Sequence, residues 1–262
     1  MSSPAFKVVK SVRDQVNKEE WDVRVNLAAA YRLTHMFDMT ELTANHISAR
    51  VPGTHDQFLI NPYGMLYDEI TASSLIRIDV NGKILFNATE YPVNEAGFVI
   101  HSAIHSARHD VDCIAHTHTP AGMAVSAMKC GLLPLSQTFM RFSDIAYHDF
   151  EGVATEGRLD ERERLVNDLG NKEALILRNH GLLTCGPSIP WAFNLMYRLE
   201  RACVTQIMTM SCNTPFDLPP KDVVAAAKEM IANPPPGRPR TGDVAWGALL
   251  RRLDRLDASY KN

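Results

Sequence analysis

The β-like runs of this chain come in neighbouring pairs with turn signals between them, not singly between helices, and this limits the fold more than any other feature. Residues 47–51 are followed closely by 58–61. Residues 75–80 and 83–86 flank Asn81-Gly82. That dipeptide predicts a hairpin, because a type I′ turn needs positive φ at both central residues. A third pair, 174–177 and 182–185, flanks Arg178-Asn179-His180-Gly181. Strands joined by such short turns run antiparallel, so the pattern predicts an α/β chain whose mainly antiparallel sheet is flanked by helices.

Helical spacing surrounds these runs. Over 19–37 apolar residues (Trp21, Val25, Leu27, Ala28, Tyr31, Leu33) recur on one face. Further helices are predicted over 96–108, from Pro120 to about 128 behind a Thr119 cap, over 161–169, and from Ser188 to about 211. Buried strands are expected at 113–117 and 145–148. Residues 1–18 read as a polar arm, 19–212 as one domain and 213–262 as a tail. In the tail, Leu218-Pro219-Pro220 and Asn233-Pro234-Pro235-Pro236-Gly237 punctuate helices over 222–232 and 244–256. Such breaks predict a tail laid over another surface, a neighbouring subunit included.

Composition excludes several classes. At 45% hydrophobic and 22% charged, the 262 residues are globular rather than disordered. A net charge of −3 without a basic block gives no reason to expect nucleic acid or an anionic membrane as partner. Apolar runs such as Ala174-Leu175-Ile176-Leu177 are far too short to span a bilayer. The N-terminus lacks the apolar core of a secretory signal, and five cysteines without a CxxC pair predict reduced thiols in a cytoplasmic protein.

The chemistry is concentrated in histidine. Of ten, five (101, 105, 109, 116 and 118) fall within eighteen residues. His116-Thr117-His118 ends an apolar strand, and alternation points positions i and i+2 to the same side, where they can grip one ion. His180, in a tight Asn-His-Gly turn, is the third candidate ligand; three neutral imidazoles leave a coordination position open, as catalytic metals require. Core histidines satisfied by carbonyls would give the same spacing, and the residues alone leave both readings open. His101, His105 and His109 form one helical stripe, read as a polar face turned to solvent or to another subunit. Glu95, just ahead of that helix, suits either an acid–base role or dipole complementation. Tyr147-His148-Asp149 is weak as a dyad, because adjacent strand residues face opposite ways.

From Trp21 to Cys212 the chain resembles the class II aldolase and adducin superfamily. The landmarks are Asn45-His46-Ile47-Ser48-Ala49-Arg50, Leu59-Ile60-Asn61-Pro62-Tyr63-Gly64, Thr71-Ala72-Ser73-Ser74-Leu75, His116-Thr117-His118-Thr119-Pro120 and Leu177-Arg178-Asn179-His180-Gly181-Leu182. The stretch from Ala124 to Pro134 is most similar to the adducin head domain and its bacterial relatives. The resemblance implies a three-layer α/β/α fold around the antiparallel sheet and a homotetramer with sites at subunit boundaries. It also implies a divalent metal on His116, His118 and His180, with zinc first and manganese or iron as alternatives.

The implied chemistry is aldol cleavage, epimerisation or decarboxylation through an enediolate-type intermediate. Two departures shape the expectation. The positions that hold phosphate in the sugar-phosphate aldolases read here Asn45-His46, Tyr63-Gly64 and Val93-Asn94. This implies a non-phosphorylated hydroxy or oxo acid, or a hydroxylated aromatic acid, facing His46, Tyr63 and Gly64. Gly97 stands where those enzymes carry their catalytic glutamate, which leaves Glu95 as the candidate acid–base residue. Tyr260, by its place in the tail, is a candidate to close a neighbour's site. The alternatives to a lyase are a non-catalytic module like the adducin head and an iron-dependent oxygenase on the same fold.

Overall fold

The structure, a computed structural model, describes residues 11–152, 159–233 and 241–262. Residues 1–10 of the expected arm and the prolines at 234–236 lie outside them. The helices are α1 (Lys18–Met36), α2 (Glu95–Ala107), α3 (Pro120–Ser126), α4 (Leu159–Leu169), α5 (Ile189–Ser211), α6 (Lys221–Ala232) and α7 (Thr241–Leu256). The strands are β1 (His46–Arg50), β2 (Gln57–Ile60), β3 (Ile76–Asp79), β4 (Ile84–Phe86), β5 (Cys113–Thr117), β6 (Ala146–His148), β7 (Ala174–Leu177) and β8 (Gly181–Gly186). Caps fall where the sequence puts them. The Thr119 side chain accepts from the Gly122 N–H, with Pro120 in the first turn of α3, and the Ser188 side chain accepts from the Trp191 N–H.

One eight-stranded sheet runs in the order β4-β3-β2-β1-β5-β8-β7-β6. Every pairing is antiparallel except β6 with β7 at one edge. Strand alternation divides the core. Ile47, Ala49, Cys113 and Ala115 pack into the apolar layer under α1 and α5, whereas Ile114, Leu175, Leu177 and Leu183 pack with Ile100, Ile104, Leu165 and Leu169 of α2 and α4. The result is the expected mixed α/β fold with helices on both faces. Among the described residues no helix is long and apolar enough to cross a membrane.

Two expectations are corrected. The β3–β4 hairpin exists, but of its turn residues only Gly82 has positive φ (+89°), so the turn is not type I′. Instead Asp79 Oδ1 accepts from the N–H groups of Asn81 and Lys83, and a register shift lies between Arg77 and Ile78. The tail folds back on its own chain: α7 packs on α1 and α5. Tyr260 is 1% exposed and donates to Asp254, while the carbonyls of Tyr260 and Asn262 accept from Ala72 and Ser73. A tyrosine held in its own core cannot close a neighbour's site.

One buried hydroxyl holds the landmark segments in register. Tyr31 Oη on α1 accepts from the Ile47 N–H at 2.9 Å and the Asn61 N–H at 3.2 Å, and its own proton lies between the Ile47 carbonyl and Asn61 Oδ1. It thereby joins β1, next to His46, to the loop that carries Tyr63. Tyr31→Phe leaves these groups buried without a partner and is expected to cost about 1–3 kcal/mol, read as a lowered urea midpoint at unchanged slope.

Candidate metal centre

Strand register brings the site together. In the β1–β5 ladder His46 lies opposite His116, and in the β5–β8 ladder His116 lies opposite Leu183. His118 follows β5, and His180 closes the turn between β7 and β8. That turn needs a left-handed residue, supplied by Asn179 at φ +54°. It also needs a glycine: a Cβ on Gly181 would lie 2.4 Å from the Thr117 carbonyl oxygen. The close approach brings the two distant stretches side by side. One candidate ligand atom from each of His116, His118 and His180 lies within 4.8 Å of the others.

Hydrogen bonds decide which nitrogens face inward. The Leu182 carbonyl can only accept, so His116 carries its hydrogen on Nδ1, 2.9 Å away. His118 likewise directs Nδ1 to Glu41 Oε2 at 2.6 Å. With both Nδ1 hydrogens directed outward, the two Nε2 atoms face each other at 2.7 Å. Two lone pairs at that distance repel unless a proton or cation lies against both. Burial, reinforced by the neighbouring imidazoles, holds His116 well below the ordinary histidine range. Burial and His118 push His180 down to about 4. His116 and His180 are therefore neutral near pH 7, as a metal requires of its ligands. The donor set fits a divalent ion.

The site opens on a cavity of about 350 Å³ lined by the three histidines, His46, Tyr63 and Asn94 on one side and by apolar Ile100, Leu165 and Leu177 on another. The carboxylates of Asp149, Glu151 and Glu161 also line it. Tyr63 is 45% exposed at its mouth. Gly64 does not line the cavity; its φ of +111° and a would-be Cβ 2.9 Å from the Tyr91 ring explain the glycine. Glu95 opens α2 as an exposed residue outside the lining, whereas Asn94, whose side chain caps that helix, is part of it.

The histidine stripe on α2 is not a polar outer face. His101 and His105 are fully buried; only His109, beyond the helix, is exposed. His46 Nδ1 meets His101 Nε2 at 2.7 Å, His101 Nδ1 meets Ser48 Oγ, and Ser48 Oγ meets His105 Nε2 at 2.8 Å. Burial holds His101 well below the usual range, and burial with the adjacent Arg50 pushes His105 down to about 3. The signal was present: His46, Ser48 and Arg50 occupy every second position of a fully buried strand and must find polar partners. The sequence reading missed Glu41, and it set His148 aside with the weak Tyr147-His148-Asp149 run, whereas His148 lines the cavity and bonds to Asp168 on α4.

Residues 25–207 match the family described as Class II Aldolase and Adducin N-terminal domain. The chain is 49% identical to an aldolase II superfamily protein of Pseudomonas syringae, whose crystal structure superposes with a TM-score of 0.90 over 97% of this chain and 100% of that one. It is 27% identical to L-fuculose 1-phosphate aldolase of Glaciozyma antarctica PI12, with a TM-score of 0.81 over 98% and 97% of the two chains. Mouse alpha-adducin is 42% identical over 256 residues, which are 92% of this chain but 34% of the adducin.

The buried ladder fixes an acid sensitivity. An unfolded chain protonates its histidines near pH 6.5, whereas folded His101 and His105 stay neutral far below that. The unfolded state thus binds more protons as pH falls, and stability is lost downward from about pH 6.5. Each ladder histidine contributes about 1.4 kcal/mol per pH unit in that window. The urea midpoint of the metal-free protein is expected to fall steadily toward about pH 4; a midpoint flat across that window contradicts the ladder.

Proposed function

The chain belongs to the class II aldolase and adducin family, and from that premise we propose that it is a divalent-metal-dependent carbon–carbon lyase, acting by aldol cleavage or decarboxylation. His116, His118 and His180 are its ligands, with zinc the first candidate and manganese or iron compatible with the same imidazoles. Bound there, the ion supplies Lewis acidity to substrate oxygens that chelate it. The observation that carries the reading is the pair of Nε2 lone pairs facing each other at 2.7 Å while both Nδ1 hydrogens are committed outward.

The chain's own residues do the remaining work in this reading. Glu41 and the Leu182 carbonyl hold the imidazoles in one tautomer. Ile100, Leu165 and Leu177 keep water from one wall. His46 and Tyr63 face the substrate, and Gly64 lets the Tyr63 loop turn. Glu95 serves as acid–base group, which requires its end of α2 to close over the cavity mouth. The substrate is a small hydroxy or oxo acid, or a hydroxylated aromatic acid, without phosphate; Arg178, which lines the cavity beside the acidic Asp149 and Glu161, can meet its carboxylate. The protein works in the cytoplasm as a homotetramer with sites at subunit boundaries. Exposed Met208, Met210, Phe216 and Met230 on and beside α5 and α6 support an assembly surface.

A second reading, a non-catalytic module of the adducin-head kind, is favoured by one observation, the place of Glu95 outside the cavity lining.

Metal analysis separates the two. One divalent ion per chain, lost in His116→Ala and His180→Ala, is expected of the lyase; a folded protein that takes up none supports the module. Glu41→Gln should weaken zinc affinity about 10- to 100-fold in a chelator competition. Glu95→Gln should cut turnover more than about tenfold, and an unchanged rate removes Glu95 from the mechanism.

A further inference from the structure

We propose that His148, oriented by Asp168, is a proton-transfer residue of this cavity, acting on the carbon of the enolate formed or consumed there; the inference rests on the lyase reading above. His148 ends β6, the edge strand, on the face covered by α4. It is 5% exposed. Its Nδ1 lies 2.7 Å from Asp168 Oδ2. A carboxylate only accepts, so Nδ1 carries a hydrogen directed at it. Nε2 is fully buried and finds no hydrogen-bond partner among the described residues. The same side chain lines the cavity that His116, His118 and His180 line.

A buried polar atom without a partner needs a reason. A purely structural histidine would pin β6 to α4 through Nδ1 alone, and that role does not account for an unpartnered Nε2 on a residue that lines the cavity. A nitrogen that waits for a guest does. The charged and titratable groups that share its surroundings are Asp168 and Glu161 of α4, Asp149 and Glu151 just after β6, and Arg178 and His180 of the β7–β8 turn. The carboxylate behind the ring fixes its orientation, the arrangement that orients histidine bases in hydrolases.

Aldol cleavage moves two protons, one off a hydroxyl and one onto the enolate carbon. His148 is assigned the second. In the reverse sense, Nε2 takes a hydrogen from the carbon beside a carbonyl. The C–H electron pair forms the carbon–carbon π bond, and the carbonyl π pair moves onto oxygen. The products are an enolate and an imidazolium whose charge Asp168 balances while remaining ionised. Protonation of the enolate returns the ring to neutrality, so nothing is oxidised or reduced.

The test uses the full chain loaded with zinc, and oxalate as probe, a planar dianion that imitates two chelating oxygens. Nitrogen NMR of the imidazoles is expected to show His148 protonated on Nδ1, with its Nε2 resonance shifting when oxalate binds. His148→Gln should bind zinc and oxalate as the wild type does, yet slow deuterium exchange into the hydroxymethyl group of hydroxypyruvate roughly 100-fold or more. Asp168→Asn, at a half-exposed position, should keep the fold, lose the Nδ1–H tautomer and slow exchange as well. An Nε2-protonated His148 that ignores bound oxalate, or exchange at the wild-type rate in His148→Gln, overturns the role and leaves the metal site standing. A protein that takes up no zinc overturns both.

Discussion

His116 and His118 turn Nε2 toward each other because the other nitrogen of each ring is already committed. The Leu182 carbonyl takes the Nδ1 hydrogen of His116 across the β5–β8 ladder, and Glu41 takes that of His118. Each bond fixes a tautomer as well as a ring orientation. The inward lone pairs are thus a consequence of sheet register and one carboxylate. Register in turn depends on Gly181, since any side chain there would force the β7–β8 turn off the Thr117 carbonyl and carry His180 away from its partners. A single backbone approach underlies the geometry of the whole site.

The same face of the sheet carries a second polar series that touches no solvent. His46, His101, Ser48 and His105 hydrogen-bond in a line from the cavity wall into the interior, with His105 Nδ1 left unpartnered among the described residues, and Arg50 continues it by donating to the carbonyls of His105 and Val111. Buried polar groups cost several kcal/mol each when left unpaired. Once paired, they demand a particular register, because sliding β1 by one residue would put its polar side chains into the apolar layer beneath. The ladder thus makes the position of His46 beside His116 a property of the whole core rather than of a loop.

Much of this was legible in the sequence. Hairpin-like spacing, the Thr119 and Ser188 caps and the period-2 strands led to the antiparallel sheet, and His-x-His at a strand end with Asn-His-Gly at a turn led to the trio. What stayed hidden depended on contacts between distant residues. His101 and His105 read as a wet stripe because helical periodicity assumes one face in water, whereas α2 lies between the sheet and α4 and only its ends reach solvent. Glu41 is 77 positions from its histidine and is presented by a turn in which Leu42 adopts φ +45°. His148 was weighed against Asp149, its neighbour in sequence, but its partner is Asp168, brought over β6 by α4. Sequence adjacency is a poor guide to pairing on a strand, whose next residue points away.

The cavity's own asymmetry follows from one exclusion. A Cβ on Gly97 would lie 2.5 Å from Cδ2 of His46, so an imidazole at 46 and any side chain at 97 cannot share that space. This chain has the imidazole, locked from behind by His101. The wall beside His116 is consequently built by β1, and α2 contributes only backbone at that point. An acid–base group cannot then project from position 97 of α2. It must come from the first residue of the helix, at the rim, or from the opposite wall, where β6 and α4 meet. Leu165 and Leu177 line that side of the cavity, and there the His148 ring is held from behind by a carboxylate. Asp168 stands in that position. The division of the cavity into a neutral histidine wall and a dyad wall is thus already set by which residue fills the space at Gly97.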